Sequence, residues 1–197
     1  MSRAFPRPSS RWRSSSTYKI TPGIFALWLR LLAAAPGSVL WLLATNDLFA
    51  RNLRSRAAEA GIDPARLVFA PVLPLEQHMA RLAAADLFLD SLPCGAHTTA
   101  SDALWAGLPL LTCRGEAFCG RVGASLLTAL EMPELIAADL AAYEARALEL
   151  SRDPGQLAAI RTRLREKRGS APLFDTARST RDIEAAYQLM FDRWQQG

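Results

Sequence analysis

Short apolar runs alternate with longer segments of helical periodicity along most of this chain. The runs Ser38–Ala44 and Leu108–Thr112 are nearly all apolar, as in strands that are covered on both faces. Short connections join these runs to segments whose apolar residues recur every three or four positions. The alternation predicts an α/β fold in which a Rossmann-like parallel sheet is flanked by helices.

The predicted order opens with a helix. Thr21 is a candidate N-cap, Pro22 follows at the first helical position, and apolar residues at helical spacing continue to about Ala35. We therefore expect either that the sheet begins at Ser38 or that its first strand is missing. The predicted strands are Ser38–Ala44, Arg66–Ala70, Leu87–Asp90, Leu108–Thr112 and Leu135–Ala137, and the predicted helices are Thr21–Ala35, Asp47–Ala60, Pro74–Ala85, Thr98–Ala106, Arg121–Leu130, Asp139–Arg152, Pro154–Arg168 and Ser179–Gln195.

The first 17 residues contain two prolines, a bias toward Ser and Arg, and no hydrophobic period. We expect residues 1–17 to be a disordered or non-native arm outside the fold, and residues 18–197 to form one domain with a helical closing part from about 139. Four of the 23 basic residues lie in this arm, which leaves 19 basic against 19 acidic residues in the body. The net charge of +4 is thus a property of the arm and does not indicate a nucleic-acid partner. A nucleic-acid tether formed by the arm is the alternative interpretation.

Three cysteines without a C-x-x-C pair predict neither a disulfide framework nor a structural zinc site. The longest apolar run, around Ile24 to Ala35, is interrupted by Arg30 and is shorter than the roughly 18 to 20 residues of a membrane span. The N-terminus has no apolar signal region. We expect a cytoplasmic protein without a membrane partner, metal or cofactor.

The segment from Leu87 to Pro109 has the pattern of a strand, a loop and a helix. In open α/β sheets, ligands bind beyond the carboxyl ends of the strands, where loops lead into helix N-termini. His97, Thr98 and Thr99 stand at such a helix start, where free N–H groups and two hydroxyls would suit a diphosphate. The alternative, a threonine that only caps the helix, accounts for one hydroxyl but not for the whole Gly-Ala-His-Thr-Thr run.

Three further residues are candidates for the same ligand. His78 lies near the start of a helix that follows a strand, and Arg81 would share its helix face. Lys19, one of two lysines, precedes the first helix and could meet a phosphate. The alternative for His78 and Lys19 is an ordinary solvated side chain.

Four segments in order resemble the C-terminal half of the catalytic region of O-linked N-acetylglucosamine transferases, including their bacterial and plant Spindly-like relatives. They are YKITPGIFALWLRLLAAAPGSVLWLL, RLVFAPVLPLEQHMARLAAADLFLDSLPCGAHTTASDALWAGLPLLT, GEAFCGRVGASLL and APLFDT, and the resemblance covers about residues 18–195. It implies the C-terminal, nucleotide-sugar-binding lobe of a GT-B glycosyltransferase. The implied reaction is inverting transfer of N-acetylglucosamine from UDP-GlcNAc to Ser or Thr hydroxyls of proteins.

The resemblance assigns Lys19 the catalytic role, contact with the diphosphate that stabilises the leaving UDP. It implies that His97, Thr98 and Thr99 bind the pyrophosphate at the helix N-terminus. All four residues would act on the same charged part of the donor.

For the nucleoside end, the resemblance implies that Asp102 accepts a hydrogen bond from a ribose hydroxyl. His78 and Arg81 would flank the nucleotide, and the backbone around Leu73 would read the uracil edge.

The resemblance also implies groups that this sequence does not contain, namely an N-terminal lobe and tetratricopeptide repeats. We expect a truncated family member with little activity alone, whose partners are a nucleotide sugar, a protein acceptor and a separate chain that carries the lobe or the repeats. Two alternatives stay open: a non-catalytic interaction module or degenerate fragment, and a Spindly-type enzyme that uses GDP-fucose.

Overall fold

The computed structural model describes residues 11–13, 19–43 and 46–196. The strands in these ranges are β1 (Arg11–Arg13), β2 (Val39–Leu43), β3 (Leu67–Ala70), β4 (Leu87–Leu89), β5 (Leu110–Cys113) and β6 (Ile136–Ala137). The α-helices are α1 (Pro22–Ala34), α2 (Asp47–Glu59), α3 (Leu75–Ala83), α4 (Thr98–Trp105), α5 (Val122–Ala129), α6 (Leu140–Arg152), α7 (Pro154–Lys167) and α8 (Thr176–Gln196). The strands form one parallel sheet in the order β3-β2-β1-β4-β5-β6.

The predicted alternation is confirmed for β2 to β6 and for all eight helices of the described ranges. Most element ends differ from the predicted ones by one or two residues, and α8 begins three residues earlier than predicted. The apolar runs become strands because both of their faces are covered: every residue of β4 and β5 is buried. Thr21 caps α1 as predicted, with its hydroxyl accepting a hydrogen bond from Ile24 N–H.

The strand β1 corrects two predictions about the N-terminus. Its three residues lie in the middle of the sheet, paired with β2 on one side and β4 on the other. The expectation that residues 1–17 lie outside the fold is therefore wrong for residues 11–13, and so is the expectation that the sheet begins at Ser38 or lacks its first strand. A strand with one apolar residue between two arginines has no hydrophobic period to reveal it. Residues 1–10 and 14–17 of the predicted arm lie outside the described residues.

Two contacts fix β1 in place. Trp12 is completely buried in the core. The guanidinium of Arg11 donates two hydrogen bonds to the carboxylate of Asp86, at 3.1 and 3.2 Å. A tryptophan in the core and an ion pair at the start of β4 anchor a strand that is too short to hold by pairing alone.

The strand order places a topological switch point between β1 and β4. The chain moves outward from β1 through β2 to β3, then returns to the other side of β1 and continues outward from β4 to β6. The connections on the two sides diverge at this point, and open α/β sheets bind their ligands at the carboxyl ends of the strands beside it. The segment from Asp90 to His97 follows β4 at this edge, and Lys19 lies six residues after the end of β1.

The closing helix α8 differs from the others because none of its residues is buried. Its apolar side chains are exposed at Ile183, Tyr187, Leu189, Met190, Phe191 and Trp194. No helix of the described ranges combines the length and the apolar character needed to cross a membrane.

Candidate functional site

The loop after β4 is folded around the carboxylate of Asp90. Its Oδ1 accepts hydrogen bonds from Ser91 N–H at 2.9 Å and from Ala96 N–H at 2.7 Å. Its Oδ2 accepts a hydrogen bond from the Thr112 hydroxyl of β5 at 2.8 Å. One side chain therefore ties both ends of the loop to the neighbouring strand.

Burial governs the ionisation of Asp90. Desolvation raises the pKa of its carboxyl above the ordinary value, while the hydrogen bonds from Ala96, Thr112 and Ser91 and the charge of Lys19 act in the opposite direction. The backbone carbonyl of Asp90 accepts a 3.0 Å hydrogen bond from the hydroxyl of Tyr143, a fully buried residue of α6. Sequence reasoning missed Asp90 as a site residue, although a carboxylate directly after a buried strand is a signal that could have identified it.

Lys19 lies against the same loop. Its ammonium donates a 2.6 Å hydrogen bond to the carbonyl oxygen of Gly95. The contact places the predicted catalytic cation beside the loop that leads into α4. Lys19 thereby lies beside the connection that follows β4 at the switch point of the sheet, where open α/β sheets bind their ligands.

The start of α4 presents the predicted anion-binding groups. The N-cap is His97, whose side chain makes no capping hydrogen bond. Thr98 is exposed and Thr99 half-buried, and neither hydroxyl has a hydrogen bond to another described residue. The structure thus shows no threonine cap at this helix, and the hydroxyls stand at a helix N-terminus, an environment that favours negative charge.

A second loop holds the His97 ring. The Nε2 of His97 lies 3.2 Å from the carbonyl oxygen of Cys119, and because a carbonyl only accepts, Nε2 carries the proton in this contact. The ring also packs edge-on against Phe118, with the centroids 5.9 Å apart. Gly95 N–H donates to the same Cys119 carbonyl at 2.8 Å. Sequence reasoning missed Phe118 and Cys119 as neighbours of the site, although their glycine-containing loop follows β5 at the same edge of the sheet.

The residues predicted to hold the nucleoside lie on α3, α4 and the loop before α3. Arg81 donates to the carbonyl of Pro71 at 2.7 Å and to His78 Nδ1 at 3.2 Å. Because an arginine only donates, Nδ1 of His78 is the acceptor, so a neutral His78 carries its proton on Nε2. Burial lowers the pKa of the Arg81 guanidinium. Leu73 is half-buried in the loop that Arg81 braces through Pro71.

The structure groups these candidates into two neighbouring sets. Lys19, His97, Thr98 and Thr99 belong to the β4–α4 connection or contact it. His78 and Arg81 lie on α3, which packs against α4. Asp102 is half-buried in α4, and its side chain makes no hydrogen bond with another described residue. In the described ranges no cluster of three or more His, Cys, Asp or Glu side chains could hold a metal ion.

A groove of about 590 Å³ lies between α1 and α2. Its walls are mainly apolar, with Phe25, Leu29 and Leu53 beside one arginine and one glutamate. Such a lining does not match a diphosphate, which needs several donors or cations. The polar groups at the switch point are therefore the better candidate site.

Comparison with known proteins decides the family. Residues 14–183 match glycosyl transferase family 41. The chain belongs to that family. It is 37% identical over 180 residues to a UDP-N-acetylglucosamine–peptide N-acetylglucosaminyltransferase of Caenorhabditis elegans, and this match covers 91% of the chain and 16% of the relative. A probable enzyme of the same name from Arabidopsis thaliana, designated SEC, is 35% identical over 176 residues, or 89% of this chain and 18% of that protein. The family 41 chain thus spans less than a fifth of these two curated relatives.

Solved structures show the same fold. A mutant O-GlcNAc transferase of Thermobaculum terrenum superposes with a TM-score of 0.85 at 29% identity, covering 94% of this chain and 37% of that one. The glycosyltransferase WaaG of lipopolysaccharide biosynthesis superposes with a TM-score of 0.67 at 18% identity, covering 90% of this chain and 47% of that one. The described residues therefore have the architecture of one lobe of a GT-B glycosyltransferase, as the sequence resemblance implied.

Proposed function

We propose that this chain is the donor-binding lobe of a protein O-GlcNAc transferase, which transfers N-acetylglucosamine from UDP-GlcNAc to Ser or Thr hydroxyls with inversion. One observation carries the proposal: the Lys19 ammonium binds the loop after β4, beside the switch point of the sheet, and that loop leads into the helix that begins with Thr98 and Thr99. The names of the relatives, peptide N-acetylglucosaminyltransferases, support the choice of sugar and acceptor.

The charged groups act on the leaving group. In an inverting transfer, the acceptor oxygen bonds to the anomeric carbon as the bond from that carbon to the diphosphate oxygen breaks. The electron pair leaves with the diphosphate, and the hydroxyl proton passes to a base on the acceptor side. Lys19 would keep its hydrogen bond to the Gly95 carbonyl and donate a second N–H of the ammonium to a phosphate oxygen. The N-terminus of α4 and the hydroxyls of Thr98 and Thr99 would bind the other oxygens. Preorganised donors of this kind are each worth about 3 to 4 kcal/mol of transition-state stabilisation.

The nucleoside would lie toward α3. Arg81 holds both the His78 ring and the carbonyl of Pro71, so it stabilises the loop that contains Leu73. In this arrangement His78 and Arg81 flank the nucleotide, the Leu73 backbone meets the uracil edge, and Asp102 accepts from the ribose. The donor would need no metal ion here, because Lys19 and the helix N-terminus compensate the charge of the diphosphate.

Titration calorimetry of the purified chain tests the proposal. We expect UDP and UDP-GlcNAc to bind and to compete with each other, and GDP and GDP-fucose to bind at least about tenfold more weakly, a difference of 1.4 kcal/mol. Tighter binding of GDP-fucose would identify a fucose-using enzyme instead. The absence of heat with every nucleotide would indicate a non-catalytic or degenerate chain.

Transfer needs more than the donor site. Because the match covers only 37% of the bacterial O-GlcNAc transferase chain, we expect the chain alone to transfer no labelled sugar to an acceptor peptide. We propose that an N-terminal lobe, or a chain with tetratricopeptide repeats, supplies the acceptor side. Turnover by the purified chain without any partner would contradict this part.

A cytoplasmic location completes the proposal. Cys94, Cys113 and Cys119 are all free thiols, as expected in a reducing compartment. Fractionation of the producing cells would test it, with recovery among secreted proteins as the contradicting result.

A further inference from the structure

Three parts of the fold contact Asp90. The loop contributes the N–H groups of Ser91 and Ala96, β5 contributes the Thr112 hydroxyl, and α6 contributes the Tyr143 hydroxyl that binds the Asp90 carbonyl. The Asp90 residue is only 1% exposed. A buried carboxylate with three donors aimed at it costs desolvation energy, which is recovered only while the donors stay in place.

Two glycines pack closely against this carboxylate. A Cβ atom on Gly95 would lie 2.9 Å from Asp90 Oδ2, and a Cβ atom on Gly123 of α5 would lie 2.8 Å from the same oxygen. Both distances are shorter than a real Cβ contact permits. The two glycines let the loop and α5 approach the carboxylate from different directions.

Lys19 is connected to this cluster through Gly95. The carbonyl that receives the Lys19 ammonium belongs to the residue whose α-carbon is packed against Asp90 Oδ2. The position of that carbonyl therefore depends on the carboxylate beneath it. The charges are complementary as well, since the charge of the Lys19 ammonium favours the ionised Asp90 carboxylate and acts to lower its pKa.

We infer that Asp90 is a positioning residue of the proposed donor site: its buried carboxylate sets the course of the loop from Ser91 to Ala96 and thereby fixes the Lys19 ammonium. The inference rests on the proposed function for its purpose, but the placement of Lys19 can be measured without any nucleotide. Asp90 itself does not contact the donor in this arrangement, and it acts through Gly95 and Lys19.

The two lysines of the chain provide an internal comparison. Lys19 and Lys167 can be labelled with an amine-acylating reagent under limiting conditions and quantified by peptide mapping. Lys167, at the end of α7, pairs with Glu131 at 2.6 Å. Asp90→Asn keeps the size of the side chain and an oxygen for the two N–H groups, but it removes the charge. We expect Lys19 in this variant to react about two- to fivefold faster relative to Lys167, because the ammonium loses both a fixed carbonyl partner and a nearby negative charge; this factor corresponds to roughly 0.4 to 1 kcal/mol.

Asp86→Asn is the matched control. Asp86 precedes β4, at the opposite end of the strand from Asp90, and pairs with Arg11 and Arg161. This variant loses a carboxylate of the same type and some stability, yet it should leave the ratio of Lys19 to Lys167 labelling unchanged. If the labelling of Lys19 relative to Lys167 rises equally in both variants, the cause is a general loss of stability. That result would overturn the positioning role.

Gly123→Ala tests the same inference without altering a charge. The added methyl group pushes on Asp90 Oδ2 from α5, so displacement of the carboxylate should again speed the labelling of Lys19. If Asp90→Asn does not fold, as judged by its circular dichroism, the result for Gly123→Ala decides. Labelling at the wild-type ratio in the folded variant would overturn the inference.

A nucleotide titration separates this inference from the proposed function. If the wild-type chain binds UDP, the folded Asp90→Asn variant should lose part of its preference for UDP over uridine, and much less of it in a Lys19→Met background, because the two residues act as a unit. An equal loss in both backgrounds would overturn the coupling. If the wild-type chain binds no nucleotide, the proposed function fails, while the labelling ratios still decide whether Asp90 positions Lys19.

Discussion

The Lys19 ammonium and the Gly95 carbonyl oxygen lie 2.6 Å apart, although 76 positions separate the two residues in the chain. This contact joins the segment before α1 to the loop before α4. It shows how the fold brings a cation to a helix N-terminus without any pattern of adjacent residues.

Lys19→Met should weaken UDP binding by about tenfold and leave uridine binding within about twofold. The reason is that the ammonium would bind the diphosphate and not the nucleoside. Calorimetric titration with both ligands measures the difference, and Lys167→Met is the matched control. Equal losses for UDP and uridine would place Lys19 away from the diphosphate.

Arg81→Lys should weaken the binding of UDP and the binding of uridine by the same factor, about three- to tenfold. A lysine cannot reproduce the forked hydrogen bonds of Arg81 to Pro71 and His78, so the nucleoside end of the site would lose its support. The same two titrations provide the measurement. A loss confined to UDP would instead make Arg81 a phosphate ligand.

Trp12→Ala should lower the free energy of unfolding by about 3 to 5 kcal/mol, because it empties a fully buried position in the middle of the sheet. Urea denaturation followed by tryptophan fluorescence measures the change. Trp194→Ala is the control, since Trp194 is 76% exposed on α8 and its removal should change stability by less than about 0.5 kcal/mol. If the two variants have similar free energies of unfolding, the contribution of Trp12 and β1 to the core is contradicted.

Asp90 should make folding stability fall as the pH rises. Burial raises the pKa of its carboxyl in the folded state above the ordinary 3.8, so the folded chain binds the proton more tightly than the unfolded chain. The stabilisation that the folded chain gains from this tighter proton binding is fully present below the unfolded pKa. It is lost as the pH rises through the folded pKa. The urea midpoint of Asp90→Asn, measured relative to that of the wild type, should rise as the pH is raised from about 3.8. A difference independent of pH would contradict the raised pKa.

The periodic part of the fold could be predicted from the sequence. Runs such as Leu108–Thr112 are covered on both faces, so their apolar composition alone reveals them. The strand β1 could not be predicted in the same way, because its identity rests on one buried tryptophan and on pairing with strands that are distant in sequence.

The site was partly predictable for a related reason. Residues with a local signal, such as His97, Thr98 and Thr99 before a helix, lie where the strand–loop–helix pattern indicates. Asp90 acts through a contact with Thr112 of the neighbouring strand, and Cys119 through a contact with Gly95 of the neighbouring loop. Those contacts depend on which strands become neighbours, and single-chain patterns do not specify this.

The continuity of backbone hydrogen bonding from one edge of the sheet to the other passes through Arg11, Trp12 and Arg13. A recombinant chain shortened to begin after Arg13 would expose the facing edges of β2 and β4, and unsatisfied strand edges recruit other polypeptides. The segment that looks most dispensable in the sequence thus protects the molecule against aggregation.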